Sequence, residues 1–346
     1  MAMASAATGY DRLAELKAFD DTKAGVKGLV DAGVTAVPRI FHHPQDPAAP
    51  RPPLSHPTHH HDVVTNSSIP VIDLSGLGLT RRPELVAQVK AAAKTVGFFQ
   101  VVNHGVPDAA MSEMLASVRR FNEAPAEARR PFYTRDASRR VKYSSKYDLF
   151  WAPAASWRDT LFLDMAPVGP SPEEIPPACR DIVFEYTRQL ERDAGCLDGL
   201  SVAAHYYPAC PEPHLTLGAV KHTDATFLTV LLQDGVGGLQ ARVEDSCWVD
   251  VPGALIVNVG DFLQVMSNDG FRSVEHRVVA TSDGPRVSEA CFFRPSGPAA
   301  STRVYGPIVV KDAAAPRYRS FTAAEFIGSY RDRGFGGRPA LDRFRL

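Results

Sequence analysis

His222 and Asp224 stand two positions apart in Lys221-His222-Thr223-Asp224, and His276 follows much later in Val274-Glu275-His276-Arg277. Successive side chains of a strand point to opposite faces, so positions i and i+2 share one. Placed on a strand, the His222 imidazole and the Asp224 carboxylate therefore reach one ion. A second imidazole, His276 from a distant strand, completes two histidines and one carboxylate. That set fills three positions of an octahedral non-haem iron and leaves three open for oxygen chemistry. Ten residues past His276 come Arg286 and Ser288, again two apart and so on one strand face. Arginine's planar fork suits a carboxylate. Buried between the apolar runs Val278-Val279 and Cys291-Phe292-Phe293, Arg286 would be costly without an anion. The pair reads as an anion clamp beside the metal.

Such a site needs strands to hold it. From Leu200 onward the chain consists of short apolar runs separated by Gly, Pro, Asn and Asp, such as Phe227 to Leu232, Ala254 to Val259, Val274 to Ala280 and Val287 to Phe293. That texture predicts an all-β sandwich or barrel. Upstream, Ile69 to Leu74 predicts a short strand, and a helix begins near Pro83 with Leu85, Val86, Val89, Ala93 and Val96 as its buried stripe. Phe98 to Gly105 predicts a strand ending in a turn, which gives His104 a structural role. Met111, Met114, Leu115, Val118 and Phe121 mark the apolar face of the next helix. Residues 10 to 31 carry helical patterns around Leu13, Leu16, Phe19 and Val26, ending near Gly33. Residues 44 to 68, rich in Pro, His and Ser, read as a linker. His56, His59, His60 and His61 within it belong to a solvated loop, because loose histidines without supporting hydrogen bonds make a poor metal site. Thr322-Ala323-Ala324-Glu325 is a capping-box pattern opening a last helix to about Arg333, stopped by Gly334, Gly336 and Gly337.

Composition narrows the class. Lys and Arg number 38 against 39 Asp and Glu, net −1 over 346 residues, with no long block of one sign. Nothing there steers the chain to nucleic acid or an anionic membrane. No apolar run approaches the roughly 20 residues that span a bilayer, and Met1 to Ala7 lacks the basic start of a signal peptide. Five scattered cysteines, Cys179, Cys196, Cys210, Cys247 and Cys291, argue against a disulfide framework or thiolate zinc site. The expectation is a cytoplasmic monomer that acts on a small molecule.

In order and spacing, Tyr207 within His205-Tyr206-Tyr207-Pro208-Ala209-Cys210-Pro211, the pair His222-x-Asp224, His276 and Arg286-x-Ser288 resemble the plant iron(II)/2-oxoglutarate-dependent dioxygenases. The resemblance runs from Leu16 to Leu346. Phe19 to Asp31, Phe41-His42-His43-Pro44, Tyr147 to Phe150, Trp157 to Leu161 and His205 resemble the branch of 1-aminocyclopropane-1-carboxylate oxidase homologues. That branch includes deacetoxyvindoline 4-hydroxylase-like and benzoxazinoid-glucoside dioxygenase-like enzymes. The resemblance implies an α+β fold with a mainly β core, a double-stranded β-helix (jelly roll) flanked by N-terminal and C-terminal helices. It divides the chain into a helical extension and linker (1–68), an N-terminal dioxygenase region (69–195), the jelly-roll core (196–310) and a C-terminal helix and tail (311–346). It implies Fe(II) on His222, Asp224 and His276, and 2-oxoglutarate held by Tyr207, Arg286 and Ser288. Dioxygen is the oxidant and ascorbate a supporting reductant. The reaction it implies oxidises a small plant specialised metabolite, most commonly by hydroxylation, with release of succinate and CO2. Phe150, Phe227 and Phe293 are candidates to line the substrate entrance, against a core role for each.

This sequence departs from that pattern after Arg188. Relatives place a long helix, a loop and a shorter helix between the segment like Cys179 to Ile182 and the strand like Leu200 to Tyr207. Tyr186 to Cys196 bridges that interval directly, about 25 residues short. A second, smaller loss lies around Trp248 to Ala254. The first could strip apolar packing worth several kcal/mol, at roughly 25 cal/mol per Å², from a margin of about 5–15 kcal/mol. The alternative reading is therefore a catalytically impaired jelly-roll homologue that still binds small molecules.

Overall fold

Runs of β-branched, aromatic and leucine residues bounded by turn formers favour short strands with tight connections. The computed structural model describes residues 10–43, 69–78, 80–191, 199–243, 247–295, 302–309, 315–331 and 340–346. Its strands are β1 (Val71–Asp73), β2 (Phe98–Val102), β3 (Val141–Ser144), β4 (Asp159–Asp164), β5 (Gly199–Tyr207), β6 (Leu217–His222), β7 (Leu228–Gln233), β8 (Leu239–Val243), β9 (Cys247–Asp250), β10 (Leu255–Val259), β11 (His276–Val279), β12 (Arg286–Arg294), β13 (Val304–Tyr305) and β14 (Phe321–Thr322). The helices are α1 (Arg12–Asp21), α2 (Gly25–Asp31), α3 (Arg82–Thr95), α4 (Asp108–Glu123), α5 (Ala126–Arg129), α6 (Arg180–Glu191), α7 (Asp261–Met266) and α8 (Ala323–Arg331).

Two sheets face one another. The larger runs β1-β2-β10-β7-β12-β5-β4-β3, and the smaller runs β6-β11-β8-β9. β5 is buried along its whole length and pairs antiparallel with β12 on one side and β4 on the other. Strands from both halves of the chain share the large sheet, with β1 and β2 at one edge and β3 and β4 at the other. The jelly-roll expectation, with flanking helices, is met.

Alternation along β12 sends Val287, Cys291 and Phe293 to one side of the sheet. There they meet Met114, Val118 and Phe121 of α4 and Ile182, Val183 and Tyr186 of α6 in the largest core cluster. In both helices the buried positions recur at three and four residues, the spacing that puts them on one face. On the other side, Tyr207, Phe98 and Ile256 pack against Ala219, Ala241 and Val278 of the small sheet. The sheets meet so closely there that a Cβ on Gly218 would lie 2.7 Å from the Tyr207 ring.

The N-terminal helices belong to the same body. Leu16, Phe19, Val26 and Phe41 pack with Leu149, Ala155 and Trp157, just ahead of β4. The C-terminal helix closes a third side, with Phe262 and Val265 of α7 packed among Tyr318, Phe321, Phe326 and Phe344.

Several expectations need correction. The helical stretch of residues 10 to 31 is two helices, and Leu13 lies exposed. Val86 is exposed on α3, where Leu85, Ala92 and Ala93 are buried instead. Phe293 sits in a core cluster, Phe227 packs against the C-terminal cluster and Phe150 against the N-terminal one, so the core role weighed for each is the one met. Half of the capping box forms: Glu325 N donates to Thr322 Oγ1, while the Glu325 carboxylate turns to Arg319. His104 takes its structural role, its Nδ1 accepting from Val106 N. The expected linker at 44 to 68, with its four histidines, and the glycines after Arg333 lie outside the described residues. So does most of the shortened stretch: α6 ends at Glu191 and β5 begins at Gly199, with 192 to 198 between them.

Candidate active site

His222 is the last residue of β6 and His276 the first of β11, and the two are Cα partners across that antiparallel ladder. Their ring centroids lie 4.2 Å apart. Asp224 is not on the strand, contrary to the reasoning from i, i+2 alternation. It lies in the turn after β6, where its carbonyl accepts from Asp261 N at the start of α7. A loop held by a helix aims the carboxylate.

Each histidine is oriented by its own strand. His222 Nδ1 bonds Val220 O at 2.8 Å, and His276 Nδ1 bonds Val274 O at 3.1 Å. A carbonyl only accepts, so each Nδ1 carries a hydrogen, and in the neutral ring Nε2 is the atom that holds the lone pair. Asp224 is held at Oδ2 by the Thr229 hydroxyl at 2.6 Å and by Asn258 Nδ2 at 2.8 Å. Its Oδ1 faces the two imidazoles, 3.7 Å from His222 Nε2 and 3.5 Å from His276 Nε2. Three lone pairs thus converge at separations too long for good hydrogen bonds, the arrangement expected of ligands to one cation.

The electrostatics agree. Burial, then the neighbouring His276, pushes the His222 pKa down to about 3, so the ring is neutral and free to ligate. Burial works to raise the Asp224 pKa, but the site around it, with hydrogen bonds from Thr229 and Asn258, outweighs burial and lowers it below the usual carboxylate value.

Next to this triad, Arg286 opens β12 opposite Tyr207, and Ser288 stands opposite His205. Arg286 is 1% exposed. Its Nε donates to Gly237 O, one terminal nitrogen to Ser288 Oγ and the other to Gln233 Oε1, at 2.8, 2.8 and 2.7 Å. The guanidinium carbon lies 4.9 Å from the Tyr207 ring centre. Among the described residues no carboxylate forms an ion pair with it. Burial lowers its pKa, yet a guanidinium keeps its proton at neutral pH. A buried, unpaired cation is expensive unless an anion joins it. A dicarboxylate spanning from the triad to Arg286 fits that need.

All six residues named from the sequence fall on this one region. Sequence reasoning missed the groups that hold them: Gln233, Asn258 and Thr229. Asn258 in Leu-Ile-Val-Asn-Val carried a signal, since a polar residue inside an apolar run must find a buried partner.

Comparisons with known proteins decide the family. Residues 199–295 match the 2OG-Fe(II) oxygenase superfamily, and residues 69–180 match the N-terminal region described as non-haem dioxygenase in morphine synthesis. The chain is 46% identical to 1-aminocyclopropane-1-carboxylate oxidase homolog 1 of Arabidopsis thaliana, over 96% of both chains. The chain belongs to the 2OG-Fe(II) oxygenases. Within them, this dioxygenase groups with the 1-aminocyclopropane-1-carboxylate oxidase homologues. It is also 44% identical to a probable 2-oxoacid dependent dioxygenase of Arabidopsis thaliana, over 98% of this chain and all of that one. Its fold matches JOX2 in complex with 2OG, Fe and JA at a TM-score of 0.77 and 27% identity, covering 93% of this chain and 97% of that one. The rice dioxygenase for auxin oxidation follows at 0.66 and 26%, over 81% and 100%. The dioxygenase takes Fe(II) and 2-oxoglutarate, the cofactors its family name carries. The alignment with homolog 1 runs over 363 positions but takes in 96% of 346 residues, about 332, so about 31 positions have no counterpart here. No described helix is long and apolar enough to cross a membrane.

Proposed function

We propose that His222, Asp224 and His276 hold the Fe(II), and that Arg286 and Ser288 grip the far carboxylate of 2-oxoglutarate with Tyr207 against it. The organic substrate is a small specialised plant metabolite, and its oxidation is a hydroxylation. The observation that carries the assignment is the convergence of two Nε2 lone pairs and Asp224 Oδ1, each ligand fixed from behind by a hydrogen bond.

When bound, iron and 2-oxoglutarate would activate dioxygen, one oxygen atom passing to succinate as CO2 leaves and the other serving to oxidise a substrate C–H bond. The chain's own residues position and insulate. Val220 O and Val274 O fix the imidazoles, and Thr229 with Asn258 turns Asp224 so that Oδ1 faces them. Gln233 and Gly237 O hold the Arg286 fork in a water-poor interior, where its attraction for a carboxylate is strong. Gln233 is anchored in turn, its amide donating to Val251 O and Gly253 O. We place the enzyme in the cytoplasm as a monomer without nucleic-acid partners. The near-zero net charge and the unbridged thiols of Cys179 and Cys210 support that reading.

Anaerobic titration with Fe(II) and 2-oxoglutarate tests the assignment. The chelate should give its visible charge-transfer band in the wild type, and Asp224→Ala should lose it. A band that persists in Asp224→Ala would move the metal elsewhere. The short connection between α6 and β5 favours the impaired-homologue alternative, and a band without succinate on admission of oxygen would establish it.

A further inference from the structure

Arg158 sits between two residues fixed in place. On one side, Trp157 is fully buried, its indole N–H donates to Pro208 O at 3.1 Å, and its ring packs edge-on against Phe41. On the other, the buried Asp159 carboxylate accepts from Val26 N and Lys27 N at 2.8 Å each and from Ser145 Oγ at 2.9 Å. Arg158 itself is half-buried, and its Nε is buried without a hydrogen-bond partner among the described residues. No described carboxylate forms an ion pair with it. Asp148, an acidic group that feels the Arg158 charge, already stands 3.4 Å from Lys146 Nζ, so two cations share one carboxylate. A side chain with rigid neighbours, a shared carboxylate and a buried Nε left without a hydrogen bond is arranged for something that arrives.

The ladder shows where. β4 pairs with β5 so that Asp159 opposes Tyr206 and Thr160 opposes His205. Asp159 points away from the site toward α2, so Thr160 shares the opposite face with His205, and Arg158 is the residue immediately before β4 at this end of the ladder. Thr160 Oγ1 engages His205 Nδ1 at 3.0 Å, which leaves His205 Nε2 for a ligand. Behind burial, the Arg158 charge is among the causes that lower the pKa of His205, His222 and Arg286, so the guanidinium lies within electrostatic reach of all three. It does not belong to the Arg286 clamp. Arg286 opens β12 on one side of β5 and Arg158 precedes β4 on the other, and two strand spacings put the flanking strands about 10 Å apart. The Arg286 fork is tied to Gln233 and Gly237, on the side away from β4.

We propose that Arg158, with His205 beside it, forms a second anion subsite that takes a carboxylate carried by the organic substrate. This rests on the assignment of Arg286 to 2-oxoglutarate. Two carboxylates then lie side by side, one at each arginine, and the substrate's is anchored at the β4–β5 edge while the rest of it reaches toward the triad.

The test uses the full chain, anaerobic, with Fe(II) and 2-oxoglutarate. Phenylalkanoic acids of increasing chain length are compared with their primary amides, binding being read by saturation-transfer NMR and 2-oxoglutarate affinity by the charge-transfer band. In the wild type at least one acid should bind tenfold or more tightly than its amide. Arg158→Gln should bring that ratio within about twofold of one, Arg158→Lys should keep part of it, and 2-oxoglutarate affinity should stay unchanged in both. The lysine variant decides the matter if the glutamine variant fails to fold. No acid preference in the wild type, or a preference that survives in Arg158→Gln, overturns the proposal. A selective loss of 2-oxoglutarate affinity in Arg158→Gln also overturns it, by assigning Arg158 to the co-substrate. Absence of the band in the wild type faults the Arg286 assignment instead, and the acid–amide comparison still reads on the metal-free chain.

Discussion

Gly25 lies so close to Asp159 that a Cβ at Gly25 would meet the Asp159 Oδ1 atom at 2.4 Å. The glycine also has φ near +71°, a conformation that other residues adopt only with strain. Through this contact the start of α2 donates two backbone N–H groups to a carboxylate on β4, more than a hundred residues away.

Gly25→Ala should therefore destabilise the whole protein. Strain and the loss of hydrogen bonds to a buried carboxylate together give at least about 2 kcal/mol. Urea unfolding checks this, and an unchanged midpoint would show that the N-terminal helices contribute nothing to the core.

Asn258→Leu leaves all three proposed iron ligands in place and removes one of the two groups holding Asp224 Oδ2. Loss of such a supporting bond typically weakens metal binding about 10- to 100-fold. Anaerobic competition against a chelating dye measures it. Affinity equal to the wild type would mean Thr229 alone suffices. His276→Ala, by contrast, should abolish binding.

Arg286→Lys keeps the charge and loses the fork that engages Ser288 and Gln233 together. With one charge-assisted hydrogen bond lost, worth about 1.5–3 kcal/mol, the dissociation constant for 2-oxoglutarate should rise tenfold or more. An unchanged constant, with the metal still bound, would place the far carboxylate elsewhere.

Glu289, fully buried on β12 behind the site, supplies a pH test. Burial raises its pKa to about 8, partly offset by the hydrogen bond from Cys291 Sγ and by the nearby Tyr186 hydroxyl. Its folded value exceeds the unfolded one, near 4.5, so between these values the folded chain holds a proton that the unfolded chain has released. Stability then falls as pH rises across that interval, by on the order of 1 kcal/mol per unit, and levels off above it. Glu289→Gln removes this slope. Its stability advantage over the wild type should grow from pH 5 to pH 8 and then stay constant, as read by urea midpoints. A constant difference across that range would count against a raised pKa.

The residues proposed as ligands and clamp are legible because their side-chain chemistry recurs at strand spacing, and the strands themselves because apolar runs alternate with turn formers. Strand alternation does not by itself bring Asp224 to His222, since Asp224 gains its aim from a turn tied to α7. Val86 was misplaced because a helix with apolar residues at adjacent positions, Leu85 and Val86, fits two stripes, and only packing chooses between them. Gln233, Thr229 and Glu289 stayed hidden for another reason. In sequence they look like solvent-facing positions of half-buried strands, and both faces of the large sheet are in fact covered.

The bonds that aim His222 and His276 run to main-chain carbonyls two residues earlier in the chain. Side-chain replacement at Val220 or Val274 cannot delete an acceptor that every amino acid carries. Asp224 depends instead on a hydroxyl and an amide, which single codon changes can remove. Mutational tolerance at the centre is thus uneven: its imidazole half is shielded from drift at positions 220 and 274, while its carboxylate half is exposed to drift at 229 and 258. A lineage losing this chemistry by gradual substitution would show the first scars around the carboxylate.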